Sequence, residues 1–207
     1  MEGGAASGGG PSGGPRVGDH LGVQPPDVVL TVPARGLVLL VGAAGAGKST
    51  FAARHFAPTE ILSSDVFRAL VSDDERDQSA TPHAFDVLGR VLAHRLRRGR
   101  LSVVDATNVS PGDRRSFLRL AALARRPAVA IAFDLPDTAC QERNARRPGR
   151  VVDPAVVHRQ VEGVRRTLAN PERFLAEGYT TVHVLAGVEA VEAVRIQRDP
   201  RLRPPPG

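Results

Sequence analysis

A glycine-rich stretch near residue 45 combines residue types that can hold a chain of phosphates. Gly42, Gly47, Lys48 and Ser49 match the spacing G-x-x-x-x-G-K-S, and Lys48 is the only lysine in the chain. In such a loop the backbone N–H groups converge on phosphate oxygens, the lysine reaches the β- and γ-phosphates, and the serine hydroxyl binds Mg²⁺. A lysine suits that reach because its stem is flexible and its ammonium compact, whereas an arginine fork is planar. The residues that we expect to contact a nucleotide are Gly42, Gly45, Ala46, Gly47, Lys48, Ser49 and Thr50.

A carboxylate and an arginine follow the short apolar segment 60–64. Asp65 comes directly after this predicted strand, and Arg68 lies three residues further on. At that place Asp65 could orient an acceptor hydroxyl and take its proton, while Arg68 holds a phosphate of the acceptor. An aspartate can serve although it is a weak base, because positioning dominates in a loose phosphoryl-transfer transition state. The alternative is that Asp65 only caps a helix beginning at Val66, and the residues alone leave both interpretations open.

A second carboxylate, Asp105, ends the apolar strand predicted over 101–105. An acid at this position commonly binds Mg²⁺ through water in nucleotide-binding proteins, although it could also be a simple turn residue. Asn108, in the loop that follows, could fix either a strand end or a substrate. We therefore expect ATP and Mg²⁺ as cofactors, with Ser49 and Asp105 near the metal ion.

Several arginines cluster in the sequence "CQERNARRPGR". Arg143 and Arg147 are one turn apart on the helix predicted over 136–147, and Arg150 lies beyond a helix-breaking Pro-Gly pair. A closing segment that brings arginines to a transferring phosphate stabilises its charge and excludes water. We expect Arg143, Arg147 and Arg150 to act in this way, and Arg143 to contact the nucleotide as well. The alternative is a solvated basic helix end, and for Arg146 this interpretation stays open.

The elements that would position these residues alternate between strands and helices. Nearly continuous apolar runs predict strands at 28–32, 37–41, 60–64, 101–105, 128–133 and 180–185. Helices are predicted from Lys48 onward, after Asp65, and over 82–98, 111–126, 136–147 and 154–170. Thr81, Ser110 and Asp153 each precede a proline and are predicted to cap a helix. This order predicts an α/β fold with a doubly wound parallel sheet, in which ligands bind beyond the carboxyl ends of the strands.

Composition divides the chain into a folded part and two tails. Residues 1–26 are rich in Gly, Ser and Pro and are expected to be disordered, residues 27–195 form the domain, and residues 196–207 are linker-like. The chain has 1 cysteine, which excludes an internal disulfide and favours a reducing compartment, the cytoplasm. No apolar run is long enough for a secretory signal or a membrane span. The net charge of +6 is compatible with a polyanionic partner, although a bias towards arginine explains it equally well.

Two further charged runs are interpreted as solvent-exposed. The acidic run 72–81 predicts a surface loop, which would repel a phosphate chain lying along it. The basic run 95–100 predicts a helix end on the face away from the site.

Taken together, the sequence resembles the 5′-kinase module of bacterial polynucleotide kinase–phosphatase enzymes of RNA repair. The resemblance covers about residues 37–185 and rests on the blocks "GAAGAGKSTFA", "ILSSDVFRALVSDDERDQSAT", "AFDVL", "VVDATNV" and "LPDTACQERN". It implies an adenylate-kinase-like P-loop fold and ATP-dependent phosphorylation of a 5′-hydroxyl polynucleotide end, in RNA or DNA. It also implies that Asp65 is the general base and that Arg68 holds a 3′-phosphate of the acceptor. Lys48 and Ser49 match the phosphate and metal residues, and Arg143, Arg147 and Arg150 match the helix and lid arginines.

Enzymes of this kind normally continue into phosphatase and adenylyltransferase modules, whose activities we do not carry over to this chain. Two other functions stay open at this stage. One is a P-loop kinase that phosphorylates a small molecule with the same residues. The other is a nucleotide-gated regulatory module that hydrolyses ATP slowly, if at all.

Overall fold

A computed structural model of the protein describes residues 29–147 and 149–205; the predicted tail over 1–26 lies outside these ranges. The strands are β1 (Val29–Pro33), β2 (Leu37–Val41), β3 (Ile61–Ser63), β4 (Ser102–Asp105), β5 (Ala128–Asp134), β6 (Thr181–Ala186) and β7 (Arg195–Asp199). The helices are α1 (Lys48–His55), α2 (Ser64–Ser72), α3 (Thr81–Arg97), α4 (Pro111–Leu123), α5 (Asp137–Ala145), α6 (Pro154–Leu168), α7 (Pro171–Leu175) and α8 (Gly187–Ala193). Across the described ranges, no helix is both long and apolar enough to cross a bilayer.

The main sheet has five parallel strands in the order β3-β4-β2-β5-β6. β2 lies at its centre, paired with β4 on one side and β5 on the other. All five residues of β2 are buried, as a central strand covered on both faces requires. The predicted α/β fold with a doubly wound parallel sheet is therefore confirmed, and the carboxyl ends of all five strands lie at one edge.

Alternate residues of β2 pack into two separate hydrophobic cores. Val38 and Leu40 face the core that α1, α5, α6 and α8 cover. Leu37 and Leu39 face the core that α2, α3, α4 and α7 cover. This division follows from the strand geometry, because successive side chains point to opposite faces of a sheet.

Two of the three predicted helix caps are confirmed. The side chains of Ser110 and Asp153 accept hydrogen bonds from the backbone N–H groups of Gly112 and Ala155. The prediction for Thr81 was wrong, because α3 begins at Thr81 itself and the short 3₁₀ turn 78–80 precedes it. Thr81 is thus inside the helix, one residue too late to cap it.

A second, two-stranded sheet pairs β1 with β7 in parallel, and it extends the domain beyond the expected boundary. Residues 195–199 were expected to end the domain and begin a linker-like tail, but they form a strand in register with Val29–Pro33. Arg198 also makes two hydrogen bonds of 2.8 Å each to the carboxylate of Glu60. The short helices α7 and α8 were likewise not predicted, since neither is long enough to show a helical period.

The buried side chain of Arg114 ties the start of α4 to the loop after α7. Its guanidinium donates to both carboxylate oxygens of Glu177, at 2.8 and 2.6 Å. It also donates to the backbone carbonyls of Asn108 and Val109, at 3.0 and 2.6 Å, and lies 5.0 Å from the centre of the Phe174 ring. This ion pair fixes the loop between β4 and α4, which borders the carboxyl edge of the sheet.

Candidate active site

The glycine-rich loop between β2 and α1 requires glycine at two positions. Gly45 has a φ of +80° and Gly47 a φ of +92°, a region in which a side chain is strained. A Cβ atom at residue 45 would also lie 2.1 Å from the carbonyl oxygen of Cys140 on α5. The backbone turn and the close approach of α5 therefore depend on the motif glycines.

Lys48 is the first residue of α1, and its ammonium lies inside the loop. Its Nζ atom donates hydrogen bonds to the carbonyl oxygens of Gly42 at 2.9 Å and Ala43 at 2.8 Å. The residue is only 8% exposed. Burial lowers the pKa of Lys48 to about 8, although the negative charge of Asp105 partly opposes that shift.

Contacts with two distant segments hold the loop in place. The amide nitrogen of Asn108 donates to the carbonyl of Leu40 at 2.7 Å, and the N–H of Gly42 donates to the carbonyl of Thr107 at 2.9 Å. Of the two roles left open for Asn108, the structure thus shows the one at a strand end. On the other side, the Gln160 side chain on α6 accepts a hydrogen bond of 2.8 Å from the N–H of Ala44. Sequence reasoning missed Gln160, because nothing local to α6 indicates a contact 116 residues away.

Asp65 does not cap a helix. It lies in the first turn of α2, whose N-cap is Ser63, and no side chain caps this helix. Its two carboxylate oxygens form ion pairs with Arg68, one turn along the same helix, and with Arg150. Two guanidinium groups therefore hold a charged carboxylate at the end of β3.

The same two arginines converge on Glu75, which is part of the acidic run. The Arg68 Nε atom donates to the Glu75 carbonyl at 2.8 Å, and Arg150 pairs with the Glu75 carboxylate at 3.4 Å. Burial lowers the pKa of both guanidinium groups, but guanidinium remains charged at neutral pH. The expectation that the run 72–81 is only a surface loop was thus wrong in part, because Glu75 and Arg76 line the cleft described below.

Asp105 and Ser49 offer oxygen atoms that fit a magnesium ion. Asp105 ends β4, in register with Leu40 of β2 and Ser63 of β3. It is only 5% exposed, yet its carboxylate accepts no hydrogen bond from any described residue. Carboxylate and hydroxyl oxygens suit Mg²⁺, which usually takes one or two protein ligands and completes its shell with water and substrate phosphates. In the described residues there is no cluster of three or more His, Cys, Asp or Glu.

The arginines after β5 differ in their placement. Arg143 lies beside Gly47 and pairs with Glu192 of α8 at 3.2 Å. Arg147 follows the end of α5 at Ala145, so it does not share a helix face with Arg143 as expected. It does line the cleft described below. Arg146 is exposed and does not line that cleft.

The segment that carries Arg150 is fastened to α5 by one side chain. The Asn144 amide nitrogen donates to the carbonyl of Val152 at 2.7 Å, and its oxygen accepts from the N–H of Val152 at 3.0 Å. Near its middle the segment meets the acidic run, where Arg76 donates to the carbonyl of Gly149 at 3.2 Å. We call the described residues 146, 147 and 149–152 the lid segment.

One cleft of about 1310 Å³ brings nearly all these side chains together. Its walls include Lys48 and Ser49 from α1, Asp65 and Arg68 from α2, and Asp105 from β4. Arg143, Arg147 and Arg150 line it from the side of α5 and the lid segment. A carboxylate held by two arginines thus shares an open space with the phosphate-binding loop, at the edge of the sheet where such folds bind ligands.

Comparison with known families shows what kind of protein this architecture belongs to. A sequence model of the family described as "AAA domain" matches residues 37–171, well over half of the chain. The match begins at β2 and ends at the first residue of α7, so it includes the glycine-rich loop, Asp65, Asp105 and the lid segment. No curated protein matches the sequence.

Solved structures resemble the chain at low sequence identity. A chain of the Pnkp1/Rnl/Hen1 RNA repair complex is 22% identical with a TM-score of 0.56, and the match covers 67% of this protein and 47% of that chain. A chain of the AvrRxo1-ORF1:AvrRxo1-ORF2 complex with sulphate ions is 19% identical with a TM-score of 0.54, covering 69% and 51%. The protein thus spans about half the length of each. At this identity the likeness shows the fold alone, a parallel sheet with helices on both faces.

Proposed function

This chain belongs to the AAA domain family, and we propose that it transfers the γ-phosphate of ATP to the 5′-hydroxyl end of a polynucleotide, RNA or DNA. One observation carries the proposal. The carboxylate of Asp65, paired with Arg68 and Arg150, lines the same cleft as Lys48 of the phosphate-binding loop. A module that only bound a nucleotide would have no need of a carboxylate and an arginine pair across an open cleft from the phosphate-binding loop, whereas a kinase needs them to position an acceptor hydroxyl.

The donor would bind at the glycine-rich loop. The backbone N–H groups of that loop and the start of α1 favour a phosphate chain, since a helix N-terminus carries partial positive charge. Lys48 would exchange the carbonyls of Gly42 and Ala43 for the β- and γ-phosphates. Ser49 and Asp105 would hold Mg²⁺, which neutralises charge on those phosphates when bound.

The acceptor would enter from the side of α2. Its 5′-oxygen forms a bond to the γ-phosphorus as the bond to the β–γ bridging oxygen breaks, ADP leaves, and the hydroxyl proton passes to the Asp65 carboxylate. Arg68 would hold the 3′-phosphate of the terminal nucleotide, which the resemblance implies. Arg143, Arg147 and Arg150 would stabilise the transferring phosphoryl group, because fixed charges are strong in a site that excludes water.

Under this proposal, Arg150 would exchange its present contacts for contacts with the phosphates. In the structure it occupies one oxygen of Asp65 and the carboxylate of Glu75. To let a hydroxyl reach Asp65 it must turn towards the phosphates, and the lid segment that carries it must shift. Nucleotide binding would favour that shift, since it brings negative charge to the lid arginines.

The partners proposed for the protein are 5′-hydroxyl nucleic-acid ends, in the context of end repair. The likeness to a chain of an RNA repair complex supports this context through the fold alone. Phosphatase and adenylyltransferase modules as further partners stay a prediction from the sequence.

The experiment is transfer of labelled γ-phosphate from ATP to 5′-hydroxyl RNA and DNA oligonucleotides. The wild type is compared with Lys48→Ala, Asp65→Asn and Arg68→Ala. We expect the first two variants to lose at least about a hundredfold in rate, the usual effect of removing an acid–base group or a phosphate-stabilising charge. Arg68→Ala should lose less, and part of its loss should disappear on acceptors that lack a 3′-phosphate.

A matched control comes from Asp86→Asn. Asp86 is an exposed carboxylate on α3 whose one ion pair among the described residues is with Arg90, so the transfer rate of this variant should equal that of the wild type. Equal rates for wild type and Asp65→Asn would remove the assignment of the base. Transfer to a sugar or nucleoside, but to no oligonucleotide, would establish the small-molecule kinase instead.

A further inference from the structure

Beside the active cleft, the outer face of α4 forms a second cleft of about 870 Å³. We propose that this second cleft binds the phosphate backbone of the acceptor strand beyond its terminal nucleotide. The inference rests on the proposed function and adds to it a tract that distinguishes a polynucleotide from a single nucleotide. Its lining includes four arginines that the transfer reaction does not use: Arg115, Arg119, Arg125 and Arg126.

These arginines share one face because of their spacing. Arg115 and Arg119 are four residues apart on α4, so they point the same way and lie about 6 Å apart along the helix axis. Arg125 and Arg126 follow the end of the helix and line the same cleft. A rise of this size is comparable with the distance between neighbouring phosphates of an extended single strand.

Three of these four charges are not used within the fold, whereas the Nε atom of Arg126 donates to the carbonyl of Leu96 at 3.2 Å. In the described parts of the chain, the side chains of Arg115, Arg119 and Arg125 form neither a hydrogen bond nor an ion pair, and all three residues are exposed. The one acidic residue that lines the second cleft, Glu177, has both oxygens bound by the buried guanidinium of Arg114. The surface therefore offers positive charge with its only acid already neutralised, which suits a polyanion.

The second cleft also adjoins the active cleft. Ser116 lines both of them, and its neighbours Asp113, Phe117 and Leu120 line the active cleft from the other side of α4. The helix begins just after the carboxyl end of β4, close to Asp105, and runs away from it. A strand whose 5′-end lies at Asp65 could thus pass over Ser116 and continue along the arginines.

The rest of the lining suits a nucleic acid as well. It includes two prolines of the C-terminal segment, Pro204 and Pro205. The apolar rings of these prolines could pack against ribose or base, while the arginines meet the phosphates. Such contacts tolerate any sequence, as expected for an enzyme that acts on ends.

The test is the double variant Arg115→Glu/Arg119→Glu, assayed on two acceptors. On a 5′-hydroxyl oligonucleotide long enough to span the second cleft, we expect KM to rise roughly tenfold or more, with the slope of log KM against log salt reduced by about 1.4, since each single-strand phosphate contact contributes about 0.7. On a nucleoside 3′-monophosphate, KM and kcat should stay within about twofold of the wild type, because this acceptor ends at Arg68.

The matched control is Arg159→Glu/Arg166→Glu on α6. It makes the same change in net charge at two exposed arginines that line neither cleft. Its oligonucleotide KM should change by less than about twofold, since only distant charges are altered and salt screens them. Thermal unfolding of each variant checks that it folds, and Arg115→Gln/Arg119→Gln replaces the glutamate variant if it does not.

The possible results separate this inference from the function on which it rests. If the wild type phosphorylates oligonucleotides and the α4 variant has the same oligonucleotide KM, the second cleft is not a backbone tract, while the kinase function stands. If the wild type phosphorylates no oligonucleotide, the proposed function fails. Fluorescence anisotropy then measures the Kd for labelled single-stranded RNA without ATP, which tests the second cleft independently. An equal Kd for the wild type and the α4 variant overturns the proposed backbone site, and a Kd about tenfold higher in the variant supports it.

Discussion

The ammonium of Lys48 rests on two carbonyl oxygens of its own loop, at 2.9 and 2.8 Å. A nucleotide must replace these two bonds by contacts with phosphate oxygens, which carry full negative charge and form stronger hydrogen bonds. That exchange works only while the amine is protonated. Because burial lowers the pKa of Lys48 to about 8, protonation is nearly complete at pH 7 but not at pH 9.

Binding of ATP to the free protein should therefore weaken as the pH rises through about 8. The charged form of Lys48 is dominant below its pKa and is lost above it, so the Kd for ATP should increase by up to about tenfold per pH unit above 8. The Kd of Lys48→Ala should be higher at pH 7 and flat over the same range. Calorimetric titration from pH 6.5 to 9.5 measures both, and an identical slope in the two proteins would contradict the assignment.

At the scale of elements, the lid segment is held by the ion pairs of Arg150 with Asp65 and Glu75 and by two very different contacts to its backbone. Asn144 of α5 makes two hydrogen bonds with the backbone of Val152, and Asn144 is itself buried. The other contact, between Arg76 and Gly149, is exposed at 3.2 Å. The exposed contact should break first, so the lid segment should open on the side of the acidic run and turn about Asn144.

Replacing Asn144 with alanine should release the lid segment without removing any charge from the cleft. We expect kcat to fall by about tenfold with a smaller change in the KM for ATP, because the lid arginines would spend less time at the phosphates. Limited trypsin digestion should cut faster after Arg146 and Arg150 in this variant. Asn170→Ala, which removes the cap of α7 outside the active cleft, serves as the control; faster cutting in both variants would point to general destabilisation.

Much of the site could be predicted because its residues form motifs in which neighbours lie a few positions apart. The glycine-rich loop, Lys48 and the pair of Asp65 and Arg68 each depend on neighbours within a few positions, and that information is present in the sequence itself. Glu75 and Gln160 could not be found in this way. Glu75 meets Arg150 across 75 residues and Gln160 meets Ala44 across 116, and both lie in segments that look like ordinary surface.

At the scale of the whole molecule, β7 is the strand that the amino-acid composition did not predict. Its sequence, "RIQRD", has one apolar residue in five, so it does not have the pattern of a strand. It forms because β1 presents a row of unpaired backbone groups at its edge, which a parallel partner can satisfy. Ile196 packs against the core beside α1, α6 and α8, and the Arg198–Glu60 pair joins the strand to the turn before β3.

Ending the chain after Val194 should therefore destabilise the domain, although the sequence suggested a boundary near that point. Loss of the β1–β7 pairing and of the burial of Ile196 should lower the free energy of unfolding by about 3–5 kcal/mol. A chain that ends after Arg203 keeps β7 and should lose less than about 1 kcal/mol. Urea unfolding of the two truncated proteins gives the comparison; equal midpoints would mean that β7 contributes nothing to the domain.

Lys48 gives the protein one more property, which concerns how it can be studied. No other side chain in the sequence carries a primary amine, and a pKa of about 8 leaves roughly half of this one uncharged and nucleophilic at a pH of about 8. An acylating reagent shaped like a nucleotide would therefore tag a single side chain, at the centre of the phosphate-binding loop. Mass spectrometry of that tag, with and without competing ligand, would measure what fraction of the phosphate-binding loops is occupied by the ligand.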